Sequence, residues 1–150
     1  MKDNIPTSAK VVVIGGGIAG CSVAYHLTEF GWNDIVLLER DQLTSGTTWH
    51  AAGLLGQVGA SATITKLRNY SLNLYKKLQE ETGIETGLKQ NGSLTVATDT
   101  DRLEELKRQA TFAQRFNIQV DEIDIDKITE LYPLINTKDI VGGIYIPKDG

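Results

Sequence analysis

A glycine-rich turn between an apolar strand and a helix, near the start of the chain, constrains the fold more than any other feature. Residues 10–14 form an almost unbroken apolar run, which predicts a strand buried on both faces of a parallel sheet. A Gly-x-Gly-x-x-Gly turn follows at residues 15–20, and a second apolar run at 35–38 completes a strand–helix–strand unit. The predicted fold class is therefore α/β, with a Rossmann-like nucleotide-binding unit at its start.

Each glycine of the turn has a mechanical role in binding a dinucleotide. Gly15 permits the tight turn, Gly17 lets the backbone approach a pyrophosphate, and Gly20 lets the helix pack closely on the strand. The helix that begins near Ile18 directs its free N–H groups and positive dipole end at the phosphates. Glu39 ends the second strand, where it accepts hydrogen bonds from a ribose hydroxyl and repels a 2′-phosphate. This pattern disfavours NADP but does not separate FAD from NAD.

A second candidate segment, residues 44–54, is rich in small and hydroxylated side chains. Residues 51–53 carry so little bulk that a large planar ring fits against their backbone, and the hydroxyl groups at 45, 47 and 48 suit a pyrophosphate or ribityl chain. If Gly46 to Leu54 opens a helix, its N-terminus adds a second positive dipole end. His50 lies in this segment, and a neutral imidazole is a competent nucleophile. Spacing alone leaves an ordinary surface role for His50 open.

These motifs resemble the dimethylglycine and sarcosine dehydrogenase family, amine-oxidising flavoenzymes with a flavin bonded covalently to a histidine in a Ser-Gly-x-Thr-Trp-His stretch. The matching residues here are 45–50, and the resemblance extends over nearly the whole chain, to residues 145–150. It implies that His50 is the point of flavin attachment. Carried over by position, the expected FAD contacts are Gly15, Gly16, Gly17, Ile18, Ala19, Gly20, Glu39, Arg40, Ser45, Gly46, Thr47, Thr48, Trp49, His50, Ala51, Ala52, Gly53 and Leu54. For Trp49, a place beside the flavin and an ordinary packing role both remain open.

The resemblance implies an N-terminal piece of a two-domain flavin amine oxidoreductase. Residues 8–60 would form the nucleotide-binding unit and attachment loop, and residues 61–150 the helices and strands leading into the substrate region. The implied substrate is a secondary or tertiary N-methyl amine such as dimethylglycine or sarcosine, oxidised by hydride transfer to the flavin. The implied electron acceptor is an electron-transfer flavoprotein or oxygen. Catalytic acid and base residues are expected beyond residue 150, as is a tetrahydrofolate-binding region found in many members.

Two other functions remain open. The first is a non-catalytic relative resembling the regulatory subunit of pyruvate dehydrogenase phosphatase, which has no need of an attachment histidine. The second is a plain NAD-dependent dehydrogenase, which explains the glycine turn but leaves residues 46–54 unexplained.

The composition limits the possible binding partners and the cellular compartment. The net charge of −4 over 150 residues leaves no broad basic surface for nucleic acid, and no apolar run approaches the roughly 20 residues that span a membrane. Residues 1–6 lack the apolar core of a secretion signal. The single cysteine, Cys21, excludes an internal disulfide. We therefore expect a cytoplasmic protein, or one of the mitochondrial matrix in a eukaryote, with the targeting segment absent from this chain.

Periodicity predicts the remaining elements. The helix after the glycine turn should pack through Ala19, Val23, Leu27 and Phe30 and end at Gly31. Helices are also predicted at 62–82, with Leu67, Leu74, Tyr75 and Leu78 on its apolar side, and from a cap at Thr100 or Asp101, with Leu103, Leu106, Ala110 and Ala113. Strands are predicted at 93–97 and 140–146, with a short strand and a helical turn in the acidic stretch 121–130.

Three other features are assigned no functional role. The acidic stretch 121–130 lacks metal-ligand spacing, Cys21 is interpreted as a small packing residue, and His26 is interpreted as solvated.

Overall fold

The structure is a computed structural model that describes residues 6–150, so the prediction for residues 1–5 lies outside it. The chain forms two compact units, the first ending at Gly53 and the second comprising Leu54–Gly150. The first unit contains strand β1 (Val11–Ile14), helix α1 (Ile18–Glu29), strand β2 (Ile35–Leu38) and a short 3₁₀ turn (Thr47–His50). The second contains α2 (Ala62–Thr82), β3 (Ser93–Ala97), α3 (Thr100–Gln114), β4 (Asp121–Ile123), α4 (Ile125–Leu131) and β5 (Gly142–Ile146).

The predicted strand–helix–strand unit is confirmed. β1 and β2 pair in parallel, with Val11 opposite Ile35 and Ile14 opposite Leu38, and α1 connects them. Burial of β1 on both faces was a wrong prediction. Val13 points toward α1 and approaches Gly20, whereas the alternating residues Val12 and Ile14 are 50% and 86% exposed. The reason is that α1 covers only one face of this two-stranded sheet.

The predicted apolar stripe of α1 is also wrong in its register. Val23 and Phe30 are 51% and 79% exposed, and the half-buried positions include Gly20, Ala24 and Leu27. A Cβ atom at Gly20 would overlap the backbone carbonyl of the glycine turn, so the helix can approach the sheet closely only on this side. The helix does end where the sequence predicts, because Gly31 adopts a positive φ of 84°.

The second unit contains a three-stranded antiparallel sheet in the order β3–β5–β4. α3 packs on this sheet through Leu106 and Ala110, which cluster with Ala97 and Ile144. Ala113 of the same helix face joins Ile118 and Ile146 in a second cluster. The predicted stripe of α3 is therefore confirmed, and it supplies much of the core of this unit.

The predicted bounds of α2 are confirmed, and three residues of its predicted apolar side, Leu74, Tyr75 and Leu78, are half-buried. The prediction is wrong for Leu67, and it omits the two positions that are fully buried. Leu67 is 57% exposed, whereas Thr65 and Leu72 are buried. Thr65 is buried because its hydroxyl bonds the backbone of Gly59, both accepting from its N–H (3.1 Å) and donating to its carbonyl oxygen (3.4 Å). A polar side chain thus lies at a position that hydrophobic periodicity cannot find.

Each of the three helices of the second unit is capped by the side chain that precedes it. Ser61, Asp99 and Asp124 accept hydrogen bonds from backbone N–H groups at 3.3, 2.8 and 2.9 Å. The predicted caps of α3, Thr100 and Asp101, are wrong, since both lie inside the helix.

Candidate functional site

The glycine turn is built as a dinucleotide fingerprint requires. Gly15 has a φ of 105°, a conformation that L side chains rarely adopt, and its N–H donates to the carbonyl oxygen of Leu38 at 2.8 Å. The carbonyl oxygen of Gly15 occupies the space that a Cβ atom at Gly20 would need. Two glycines are therefore required by the turn itself, before any ligand is considered.

Helix α1 is capped from a distant part of the sequence. Its N-cap residue Gly17 offers no side chain, and the hydroxyl of Thr48 instead accepts a hydrogen bond from Ile18 N–H at 2.9 Å. A Cβ atom at Gly17 would lie 3.1 Å from that hydroxyl. The backbone N–H of Thr44 also donates to the carbonyl oxygen of Gly16 at 2.9 Å. The 44–48 loop is thus held against the glycine turn.

Glu39 faces the same turn. Its Oε2 accepts a hydrogen bond from Gly16 N–H at 2.6 Å and its Oε1 accepts one from Asp41 N–H at 3.0 Å. The bond from Gly16, followed by that from Asp41, lowers the pKa of this carboxyl below its ordinary value. An ionised carboxylate has about four lone-pair sites, so capacity remains for ribose hydroxyls.

A cavity of about 610 Å³ in the first unit brings many of the predicted site residues together. It is lined by Gly17, Ile18, Ala19, Glu39, Arg40, Asp41, Ser45, Gly46, Thr47, Thr48 and Ala51. Asp41 was not predicted; its place directly after Glu39-Arg40 was the available signal. Gly15, Gly16 and Gly20 form the turn behind this lining, and Trp49, His50, Ala52 and Gly53 belong to the same unit without lining the cavity. Leu54 begins the second unit.

The residues that line this cavity fit FAD. Gly17, which carries no side chain, and the N-terminus of α1 suit a pyrophosphate, and Glu39 suits a ribose. Arg40 adds a positive charge at the same wall. Hydrogen-bond donors and acceptors thus surround the cavity without a side chain filling its centre.

His50 ends a single 3₁₀ turn and is exposed. Residues 46–54 do not open an α-helix, because the chain leaves the turn in an extended conformation at Ala51 (φ −69°, ψ 142°). The second helix dipole considered for this segment is therefore absent. Trp49 is 79% exposed, so a packing role for it is not realised within the described residues. Both side chains are available to a ligand.

The residues assigned no catalytic role occupy ordinary positions. The thiol of Cys21 contacts the carbonyl oxygen of Gly16 at 3.5 Å. His26 is half-buried rather than solvated, with Nδ1 2.6 Å from the carbonyl oxygen of Ser22 and its ring edge-on to Tyr25. Across residues 6–150, no group of three His, Cys, Asp or Glu side chains could hold a metal ion. In the same range no helix is both long and apolar enough to cross a membrane.

Comparison with known proteins covers nearly the whole chain. The chain is 46% identical over 145 residues to the mitochondrial pyruvate dehydrogenase phosphatase regulatory subunit of Mus musculus, spanning 97% of this chain and 16% of that protein. It is 43% identical over 147 residues to the mitochondrial sarcosine dehydrogenase of Homo sapiens, with the same two coverages. The structure of L-proline dehydrogenase from P. horikoshii matches with a TM-score of 0.88 and 27% identity, over 97% of this chain and 38% of that one. The chain thus spans about a sixth of the length of these curated relatives.

The predicted resemblance to the sarcosine dehydrogenases is confirmed by these identities. The match to the L-proline dehydrogenase structure over 97% of the chain, together with the family model, confirms the α/β fold class. A family model described as FAD dependent oxidoreductase matches residues 10–150, which favours FAD over NAD as the cofactor. The chain belongs to the FAD dependent oxidoreductase family.

Proposed function

We propose that this chain is the cofactor-binding part of an enzyme that oxidises a secondary or tertiary N-methyl amine, such as dimethylglycine or sarcosine. One observation carries the proposal: His50, the histidine of the Ser-Gly-x-Thr-Trp-His stretch, is exposed on a turn whose Thr48 caps the nucleotide helix. A protein that works through binding alone has no need of an exposed histidine at this place. The similarity to a sarcosine dehydrogenase adds support.

The chain's own residues would bind and orient the cofactor. The N–H groups at the start of α1 and the hydroxylated loop at residues 45–48 would hold the pyrophosphate, and Glu39 would accept from the ribose. The imidazole of His50 would supply the lone pair for a bond to the flavin's 8α carbon, which would lose a C–H proton. The two electrons left on the flavin by this attachment would pass to oxygen or to an electron-transfer flavoprotein. When bound, FAD supplies the acceptor for a hydride from the carbon next to the amine nitrogen. Electrons would then pass to an electron-transfer flavoprotein or to oxygen.

The other residues in the 18-residue set of expected contacts have supporting roles in this proposal. Trp49 would lie beside the flavin ring, and the small residues Ala51, Ala52 and Gly53 would leave room for it. The mitochondrial names of the relatives support a matrix location in a eukaryote, and a cytoplasmic one otherwise. Folate binding, if the natural protein has it, would belong to a region outside this chain.

A regulatory subunit is the second candidate, favoured by the 46% identity to the pyruvate dehydrogenase phosphatase subunit. The two functions differ in one property that is easily measured. An amine-oxidising enzyme retains yellow flavin and is bleached by its substrate, whereas a regulatory subunit need do neither.

The test uses the natural protein and two histidine variants, since the chain has only two histidines. After acid precipitation, we expect flavin absorbance to stay in the pellet for the wild type and for His26→Ala, the matched control. For His50→Ala we expect it to move into the supernatant. In a separate experiment on the native wild-type protein, adding sarcosine or dimethylglycine without oxygen should bleach the flavin absorbance. A colourless wild-type protein would favour the regulatory function instead.

A further inference from the structure

The loop that carries His50 has little packing of its own. Across residues 41–50 every residue is exposed except Thr48, which is half-buried. The single 3₁₀ turn of this loop is closed by two backbone hydrogen bonds, each 3.2 Å long. A short 3₁₀ turn has poor hydrogen-bond geometry and contributes little stability by itself. The position of the imidazole therefore depends on the contacts that hold this turn from outside.

Thr48 ties the turn to the nucleotide helix. Its hydroxyl accepts a hydrogen bond at 2.9 Å from the N–H of Ile18, the first residue of α1 and 30 residues away in the sequence. The start of α1 is in turn fixed by the glycine turn, where Gly15 N–H donates to the carbonyl oxygen of Leu38 at 2.8 Å. Through this one side chain, the 47–50 turn takes its position from α1 and β2.

The Thr48 contact is close to His50 along the chain. The backbone bond from Thr44 N–H to the carbonyl oxygen of Gly16 also joins the loop to the glycine turn, but it lies six residues before His50. Thr48 lies two residues before His50 and within the same turn. A 3₁₀ helix rises about 2.0 Å per residue, so the two residues are separated by about 4 Å along the turn axis. Loss of the Thr48 bond would therefore free the segment that carries the imidazole.

Covalent attachment makes a strict demand on the position of His50. An imidazole nitrogen forms a bond to the 8α carbon, this carbon loses one proton, and the two electrons left behind reduce oxygen to hydrogen peroxide. Bond formation is fast only when the reacting atoms are held about 3–3.5 Å apart, and a displacement of about 1 Å can cost about a hundredfold in rate. A histidine on an unanchored, exposed turn would spend little time in that geometry.

We propose that Thr48 is a positioning residue for flavin attachment. Its hydroxyl, bonded to the first N–H of the nucleotide helix, holds the 47–50 turn so that His50 reaches the flavin bound at that helix. The inference rests on the covalent link of the proposed function. It goes beyond a contact of Thr48 with the pyrophosphate, because such a contact changes the affinity for FAD, whereas positioning changes the rate of bond formation.

The test follows attachment in the natural protein purified from riboflavin-starved cells. FAD is added in air, and acid-precipitable flavin is measured against time over a range of FAD concentrations. The data give a limiting rate and a half-saturating concentration. Thr48→Val keeps the shape of the side chain but removes the acceptor, and we expect its limiting rate to fall about tenfold to a hundredfold. Thr48→Ser retains the hydroxyl and should recover most of the wild-type rate.

A matched control and a measurement on the wild type guard against damage to the fold. Thr28→Val removes a hydroxyl from an exposed position of α1, where it donates to the carbonyl oxygen of Tyr25 at 2.7 Å, and should attach flavin at the wild-type rate. The first N–H of a helix has no partner within the helix, so slow hydrogen exchange at Ile18 is expected only if Thr48 holds it. Exchange of this amide at the unprotected rate would overturn the proposal without any variant.

The outcomes separate this inference from the proposed function. Equal limiting rates in the wild type and Thr48→Val would overturn the inference and leave the covalent enzyme standing. A change confined to the half-saturating FAD concentration would do the same, as would a Thr48→Ser protein as slow as Thr48→Val. FAD that binds the wild type without ever becoming acid-stable would refute the covalent link, and this inference with it.

Discussion

Within residues 6–53 one residue is buried, Gly16, whereas the unit that begins at Leu54 contains the buried apolar side chains of the described chain. The first unit is held by backbone and loop hydrogen bonds around a glycine turn, and the second by α3 packed on a sheet. Helix capping differs as well, since α1 is capped by the distant Thr48 hydroxyl, whereas α2, α3 and α4 are each capped by the residue directly before them. The second unit follows the ordinary rules of a core, and the first leaves its polar groups arranged around an open cavity.

This difference predicts that truncating an apolar side chain lowers the free energy of unfolding in the second unit but hardly changes it in the first. Leu106→Ala should lower the free energy of unfolding by about 2–5 kcal/mol, because the side chain is fully buried. The matched variant Ile14→Ala removes a side chain that is 86% exposed and should change it by less than about 0.5 kcal/mol. Urea unfolding of the 150-residue chain measures both. Equal losses would break the distinction between the units.

Within the first unit, adding a single methyl group should destabilise the fold most at Gly20, where the helix packs against the glycine turn. In Gly20→Ala the new Cβ meets the backbone carbonyl of Gly15, which cannot move without opening the turn. We expect a loss of about 1–3 kcal/mol, confined to the first unit. Hydrogen exchange would show it as faster exchange of the α1 amides, with α3 unaffected. Val23→Ala, at a 51% exposed position of α1, serves as the control and should hardly change the exchange of these amides. Fast exchange in both variants would contradict the role of Gly20.

Removing a helix cap should have a smaller effect, and it should depend on the residue chosen. Asp99→Ala removes the acceptor for Arg102 N–H and should cost about 1 kcal/mol. Thr100→Ala, one residue further on, should change stability by less than about 0.5 kcal/mol. Thermal unfolding monitored by circular dichroism ranks the two variants. A larger loss of stability in Thr100→Ala would support Thr100 as the cap, as the sequence predicts.

The smallest effect on stability is expected from protonation of the Glu39 carboxylate. Because its folded-state pKa is lowered, its stabilising contribution is present above the ordinary value of 4.5 and is lost as pH falls through the folded pKa. The stability difference between the wild type and Glu39→Gln should therefore shrink only below pH 4.5. Carboxyl resonances followed by NMR should give Glu39 a midpoint below 4.5. A midpoint at or above that value would mean that its bonds to Gly16 and Asp41 do not persist in solution.

The sequence predicts what depends on local spacing. The glycine turn, the parallel pairing of its flanking strands, the bounds of α2 and the buried stripe of α3 all follow from patterns a few residues long. The register of α1 was missed because close approach at Gly20 overrides hydrophobic periodicity. That Thr48 caps α1, and that Asp149 bonds Gln57, could not be read from local patterns, since these pairs are 30 and 92 residues apart. The candidate site was predictable as a set of motifs, but not as a geometry.

The most direct test of the central claim, that His50 carries the cofactor, is to locate the flavin by peptide mapping of the natural protein. Trypsin cuts after Lys10, Arg40 and Lys66, so the two histidines fall in different peptides, His26 in 11–40 and His50 in 41–66. We predict that flavin fluorescence and the added mass accompany peptide 41–66, with fragment ions placing the group on His50. Flavin on peptide 11–40, or flavin released from every peptide, would contradict this account.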